Sequence, residues 1–350
     1  MDYIPHIIYY VAILFAMMIP GYIMRRCNLM PEGFGKGLSK LVLYIAQPAL
    51  IFLAYLREFD LNILLNSLWV LLLAVILHIV FSVVALASFK RAPDSMRKML
   101  RFTTIFSNAA FMGIPLIGAV LEPDFPGATM YASIYNIVFN LFLWSLGVYI
   151  CNEDRDVDGD GTPDQTYLED YIEQRSKLNI GAAIGKALLH PVSLAAGLGL
   201  IFFIVPWNSF IPEAVLTADI TTTVLGFVVE ALTMLKNLVA PLSMVVIGIR
   251  LADMSFKGML SDKHMYLFLA YRHVILPLIA VGIIKLLTLV GLTLHPAVGA
   301  VTVILAAAPA ASSATMFAEQ YDCDAVYVSR LVTVSTLISI VTMPLILMLL

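Results

Sequence analysis

Charged side chains are what this sequence has least of. Asp, Glu, Lys and Arg make up 13% of its 350 residues, against roughly 25% in a soluble domain. So few charges cannot cover a surface facing water, which excludes an ordinary soluble globular protein. Cysteine is nearly as scarce. Cys27, Cys151 and Cys323 make no disulfide framework, and each falls near the end of an apolar run, on the side argued below to be cytoplasmic, where reduced thiols are expected. The apolar runs hold no HExxH, no paired acids and no Ser/His pair supported by spacing, so the arrangements that intramembrane hydrolysis requires are missing. The opening stretch, MDYIPHIIYYVAILFAMMIPGYIMRR, lacks the basic n-region and small-residue cleavage site of a signal peptide and is expected to remain as a helix.

What the chain does have is apolar length. It is 61% hydrophobic with a mean hydropathy of +0.92, the composition of an integral membrane protein. A spanning helix needs about 20 mostly apolar residues. Ten segments qualify, roughly 4–24, 38–56, 65–89, 99–121, 127–150, 188–205, 222–252, 265–290, 296–318 and 325–349, here called spans one to ten. Eighteen of the 21 basic residues follow odd-numbered spans, among them Arg25, Lys36, Arg97, Arg250, Arg272 and Arg330; only Arg57, Lys236 and Lys285 fall on the other face. Basic residues concentrate on the cytoplasmic side, so both termini are expected outside the cell membrane. Arg272 and Lys285, toward opposite ends of span eight, have stems long enough to snorkel to the two interfaces.

An element recurs with reversed polarity. Span two contains QPALIFLAYLR (47–57) and span seven APLSMVVIGIR (240–250), each a proline followed nine residues later by arginine. Span four has Pro115 in the Asn/Gly/Ala-rich stretch SNAAFMGIPL, and span nine has Pro309 in AAAPAASSATMF. Both pairs lie five spans apart. The pattern predicts an all-α polytopic membrane protein of ten transmembrane helices in two inverted five-helix repeats, 1–151 and 188–350, joined by a cytoplasmic acidic linker, 152–187. Inverted repeats with paired broken helices are a design of secondary transporters. Broken backbone at membrane depth is tolerated where protein buries it or a watery cavity meets it. Pro115 and Pro309 suit the first position of a new half-helix, where a missing N–H costs nothing. The two restarting N-termini would then face the midplane from opposite sides, each carrying roughly half a positive charge. Anions are the ligands such a site takes, with Asn108, Gly113, Ser312, Ser313 and Thr315 supplying neutral contacts.

At SNAAFMGIPL, APLSMVVIGIRL and PAASSATMFAEQYDCD…STLISIVTMPL the chain resembles the auxin efflux carrier family, which takes in plant PIN-type and bacterial malonate-type carriers. The resemblance covers both halves apart from the central loop. It implies a scaffold domain, a transport domain with crossover helices four and nine, elevator-type movement of small organic anions, and a homodimer in the lipid bilayer. Asn108 matches the asparagine before the first crossover proline, and Pro115 and Pro309 match the crossover prolines. Plant members have a second asparagine where this chain has Phe111-Met112-Gly113-Ile114, which favours a short mono- or dicarboxylate over an auxin-like acid.

Several residues keep two readings. Asn108 either caps a half-helix or binds substrate, and Ser312, Ser313 and Thr315 either contact substrate or allow close helix packing. Asn136 and Asn140 share one face of span five, lining the pathway or joining helices. His78 is either a buried neutral imidazole or a proton-coupling group, and Glu319 a solvated interfacial acid or a coupling group. In the linker, DVDGDGTPD puts Asp156, Asp158, Asp160 and Asp164 at positions one, three, five and nine of an EF-hand-like loop. Position twelve is Tyr167 instead of glutamate, so the loop is either a Ca2+ site or a solvated acidic linker. No cofactor is required and no nucleic-acid partner is expected. The alternatives to an organic anion carrier are a sodium-coupled symporter of bile-acid-carrier type, a membrane enzyme and a calcium-responsive receptor.

Overall fold

The computed structural model describes residues 3–151, 185, 187–205, 224–253, 262–321 and 323–349. Among the described residues the chain is helical, without a β-strand. Among the described residues seven helices are long and apolar enough to cross a membrane: Ile8–Arg26, Phe34–Tyr55, Leu61–Ser88, Ala128–Cys151, Gly226–Ala252, Lys263–Leu289 and Ala325–Leu347. Three apolar helices are shorter: Ala109–Val120, Pro191–Ile204 and Pro296–Ala307. These fall on spans four, six and nine. Span four is divided into Asp94–Ile105 and Ala109–Val120, and span nine into Pro296–Ala307 and Ser313–Gln320, so no piece of either reaches full length.

Local chemistry explains many of the helix ends. Asp60, Asp262 and Asp324 cap the helices they precede by accepting from the backbone N–H of Asn62, His264 and Tyr327. Spans six and nine both open on a His-Pro pair, in which His190 and His295 accept from Val192 N and Ala297 N. Three of the four π-turns among the described residues end two residues before a proline: Val42–Ala46 before Pro48, Ala109–Gly113 before Pro115, and Tyr271–Ile275 before Pro277. A proline has no N–H, and its ring crowds the carbonyl one turn back; widening that turn moves the carbonyl aside without ending the helix.

The helices pack in two groups. Spans one, two, six and seven form one; spans three, four, five, eight, nine and ten form the other. The closest approach within the first group is between spans one and seven. A Cβ added to Gly248 would run into the Met18 carbonyl, and one added to Gly21 into the Val245 carbonyl. In the second group the broken helices are buried by spans three, five, eight and ten, with Asn108, Thr302 and Ala310 all almost inaccessible.

Candidate functional site

The two broken helices meet at their breaks. Ser107 and Ala310 form an isolated antiparallel bridge. Asn108 N donates to Pro309 O at 2.7 Å, and Ala311 N donates to Phe106 O at 2.9 Å. The extended residues therefore satisfy one another's backbone, which is what chain without helix requires at membrane depth. The restarts differ from those the prolines predict. Span four resumes at Ala109, six residues before Pro115, and span nine resumes at Ser313, four after Pro309. Pairing between the two segments sets the break positions, and each proline sits where its missing N–H is tolerated. Gln47 helps at the first: its Nε2 donates to Ala110 O, the carbonyl five residues before Pro115.

The two helices that end at the breaks leave carbonyls without intrahelical partners. One side chain meets three carbonyls at these ends. Arg272, fully buried inside span eight, donates from Nη1 to Thr104 O at 3.0 Å, from Nη2 to Ala306 O at 2.7 Å, and from Nε and Nη2 to Ala308 O at 3.0 and 2.6 Å. Its placement corrects the expectation that Arg272 snorkels to the cytoplasmic interface. Its neighbour His273 reaches the same place: Ser335 Oγ lies 2.8 Å from His273 Nε2 and accepts from Ala310 N at 2.8 Å.

On the other side of the bridge lies a cavity of about 90 Å³. Of the predicted site residues, Asn108, Asn136, Asn140, Ser312 and Ser313 line it. Asn108 Nδ2 donates to Ser312 Oγ at 3.1 Å, tying one break to the other. Several buried polar atoms at this cavity have no partner: Gln47 Oε1, Asn136 Oδ1, Asn140 Nδ2 and Trp144 Nε1. A buried polar group left unpaired costs roughly 1–3 kcal/mol, so four around one cavity are a feature to explain. Arg250 also lines the cavity and donates from Nη1 to Ser312 O and Thr315 Oγ1 at 2.7 and 2.6 Å. Gln47, Trp144 and Arg250 are not among the residues predicted for the site. Gln47 and Arg250 stand in the two repeated proline motifs, which is where a signal for them existed.

The other candidates lie elsewhere. Pro309 gives its carbonyl to Asn108, and a Cβ on Gly113 would meet the Leu305 side chain, so both serve helix contact. Pro115 lines a separate cavity of about 250 Å³ with Arg57, Glu122 and Lys236. There Arg57 pairs with Glu122, which also accepts from Gly127 N and Thr129 N. His78 donates to Ala74 O at 2.7 Å among the rings of Tyr135, Phe139 and Phe142. Glu319 pairs with Lys36 at 2.6 Å on a vestibule of about 490 Å³. This vestibule shares Ser39, Leu43, Trp144, His190, Arg250 and Met316 with the crossover cavity and is lined by Arg25, Lys36 and Lys40, so the cavity communicates with the face rich in basic residues. Asp156, Asp158, Asp160 and Asp164 lie outside the described residues.

Two comparisons bear on this geometry. A family described as membrane transport protein matches residues 6–347. An uncharacterized transporter of Methanothermobacter thermautotrophicus is 25% identical over 331 residues, covering 94% of this chain and 93% of that protein.

Proposed function

The chain belongs to the membrane transport protein family, that of the auxin efflux carriers, and on that premise we propose that it moves small organic anions across the membrane by alternating access. The anion binds in the crossover cavity, between the restarts at Ala109 and Ser313. The observation that carries this reading is the set of unpartnered polar atoms on Gln47, Asn136, Asn140 and Trp144, four residues that line one cavity beside two helix N-termini. A ligand with oxygen acceptors satisfies the two donors, Asn140 Nδ2 and Trp144 Nε1, a hydroxyl or a water meets the two acceptors, Gln47 Oε1 and Asn136 Oδ1, and the positive ends of the helices favour negative charge.

On this reading the ten spans form two inverted five-helix repeats, with four and nine as the crossover helices. Supporting it are the matched breaks, the His-Pro openings of spans six and nine, and the two proline–arginine motifs. The two packing groups would be scaffold and moving domain of an elevator, the second carrying the crossed helices. Both termini lie outside the cell membrane, and the present arrangement is open inward, because the crossover cavity joins the basic vestibule and shares no lining residue with the cavity at Pro115.

Charge movement on a solid-supported membrane carrying the purified protein tests the proposal, with mono- and dicarboxylates applied with and without sodium. Asn140→Ala is the informative variant, since its Nδ2 has no partner to lose. It is expected to leave thermal stability unchanged and to raise the half-saturating concentration about tenfold or more, the worth of a hydrogen bond to a charged group. Absence of both current and calorimetric binding with every anion would overturn the carrier reading.

A further inference from the structure

The two proline–arginine motifs each send an arginine across the boundary between the packing groups. Arg57 and Arg250 follow their prolines by nine residues and belong to the first group, at the ends of spans two and seven. Each meets the second group at the later half of a broken helix. Arg57 Nη2 pairs with Glu122, two residues past the end of Ile114–Val120 in span four. Arg250 Nη1 donates to Ser312 O and Thr315 Oγ1 at 2.7 and 2.6 Å, at the start of Ser313–Gln320 in span nine. The contacts match in position and differ in chemistry: an ion pair at the Pro115 cavity, neutral oxygens at the crossover cavity.

The ion pair is placed to hold and also to part. The side chains of Arg57 and Glu122 are 22% and 25% exposed, so water screens them only in part. Each keeps a partner within its own group. Arg57 Nε donates to Ala54 O at 3.0 Å, and Glu122 accepts from Gly127 N and Thr129 N at 3.0 and 2.7 Å. Separation therefore leaves neither side chain without a hydrogen bond. The cavity takes its walls from both groups, Leu53 and Ala240 from one, Gly118 and Thr129 from the other, so sliding one group against the other has to break the pair.

At the crossover cavity the matching acid lies one turn further on. Glu319 follows Thr315 by four residues, on the same face of its helix and about 6 Å along it. It pairs instead with Lys36, at side-chain exposures of 45% and 68%, where an ion pair contributes little. Arg250 uses Nη1 for both of its bonds, and Nε and Nη2 are uncommitted among the described residues. A guanidinium with free donors needs only a one-turn step to gain a carboxylate, a displacement typical of packed elements that switch between two arrangements.

We propose that Arg57 and Glu122 form the latch that holds the outer side of the crossover shut, and that on opening outward this pair breaks while Arg250 steps one turn along span nine to Glu319 and holds the inner side. The inference rests on the carrier reading above and adds to it the residues that set which side is open.

The test is cysteine accessibility of the full-length protein in membrane vesicles of both orientations. Ala110→Cys places a thiol at the crossover cavity, a membrane-impermeant maleimide is the probe, and peptide mass separates its labelling from that of Cys27, Cys151 and Cys323. Arg57→Gln is expected to raise labelling of position 110 from the outer face about threefold or more without raising it from the inner face, and Glu319→Gln to lower outer-face labelling by a similar factor. Glu122→Gln removes the same latch from its other partner and is expected to match Arg57→Gln, which keeps the test open where one variant does not fold. Outer-face labelling that stays at the wild-type rate in these variants overturns the inference and leaves alternating access standing, as does labelling that rises from both faces alike, the mark of a loosened fold. A position 110 that labels from one face alone, or from neither, in every protein overturns the inference together with the alternating-access reading beneath it.

Discussion

Replacing Arg272 by Met tests the account of the crossover most directly. The guanidinium makes four hydrogen bonds to three carbonyls, those of Thr104, Ala306 and Ala308. Methionine fills similar volume and donates nothing, so three buried acceptors lose their partner at roughly 1–3 kcal/mol each, about 3–9 kcal/mol together. Against this stands the desolvation of a buried cation, several kcal/mol that the variant no longer bears. The two helix C-termini decide the balance. Each presents about half a negative charge, and together they oppose about one full charge on Arg272, so its removal leaves the dipoles uncompensated in low dielectric. A net loss of at least about 2 kcal/mol is expected for Arg272→Met, and a smaller loss for Arg272→Lys, which keeps the charge but not the fork. Thermal unfolding of the purified protein in detergent, with the folded fraction checked by size-exclusion chromatography, reads both. An Arg272→Met protein as stable as wild type, or one more stable than Arg272→Lys, would refute the reasoning.

Two further variants probe packing away from the cavity. Gly248→Val drives a Cβ into the Met18 carbonyl where spans one and seven cross, and backbone cannot swing aside as a side chain can; a loss of about 1–3 kcal/mol or more is expected, whereas Gly37→Ala, with nothing within 4 Å of the added carbon, loses none, both read from thermal unfolding. Glu122→Gln weakens the pair with Arg57 and the two bonds from Gly127 and Thr129, so its melting temperature should fall, most at low salt, while anion binding at the crossover cavity, which Glu122 does not line, stays as in wild type.

Much of this molecule is written locally, and that much can be read from the chain. Apolar length marks the spans, and four-residue spacing puts Asn136 and Asn140 on one face, where the structure has them lining one cavity. Prolines 115 and 309 announce disrupted helix, because a missing N–H is a local fact. The place where each helix restarts is not local. It depends on Ser107 meeting Ala310, and on Gln47 reaching Ala110 from 63 residues away in sequence. Arg272 misleads for the same reason. A cation near the end of an apolar run fits the rule that places Lys and Arg in cytoplasmic loops, and nothing in the surrounding window identifies acceptors 36 and 168 residues distant.

Those acceptors also explain why a cation inside the membrane can serve the proposed anion site without lining it. Four helix ends converge on the two breaks. The pair of C-termini receives Arg272 as an internal counter-ion. The pair of N-termini meets no acid among the described residues that line the crossover cavity, and Glu319, farther along the second restarted helix, pairs with Lys36. One half of the local charge pattern is therefore closed within the protein and the other is open toward the cavity. Had both pairs been closed by side chains, the crossing would be a structural knot with no call for unpartnered amides around it. The asymmetry, together with Asn140 Nδ2 and Trp144 Nε1 left without acceptors, is what gives the proposed cargo its sign.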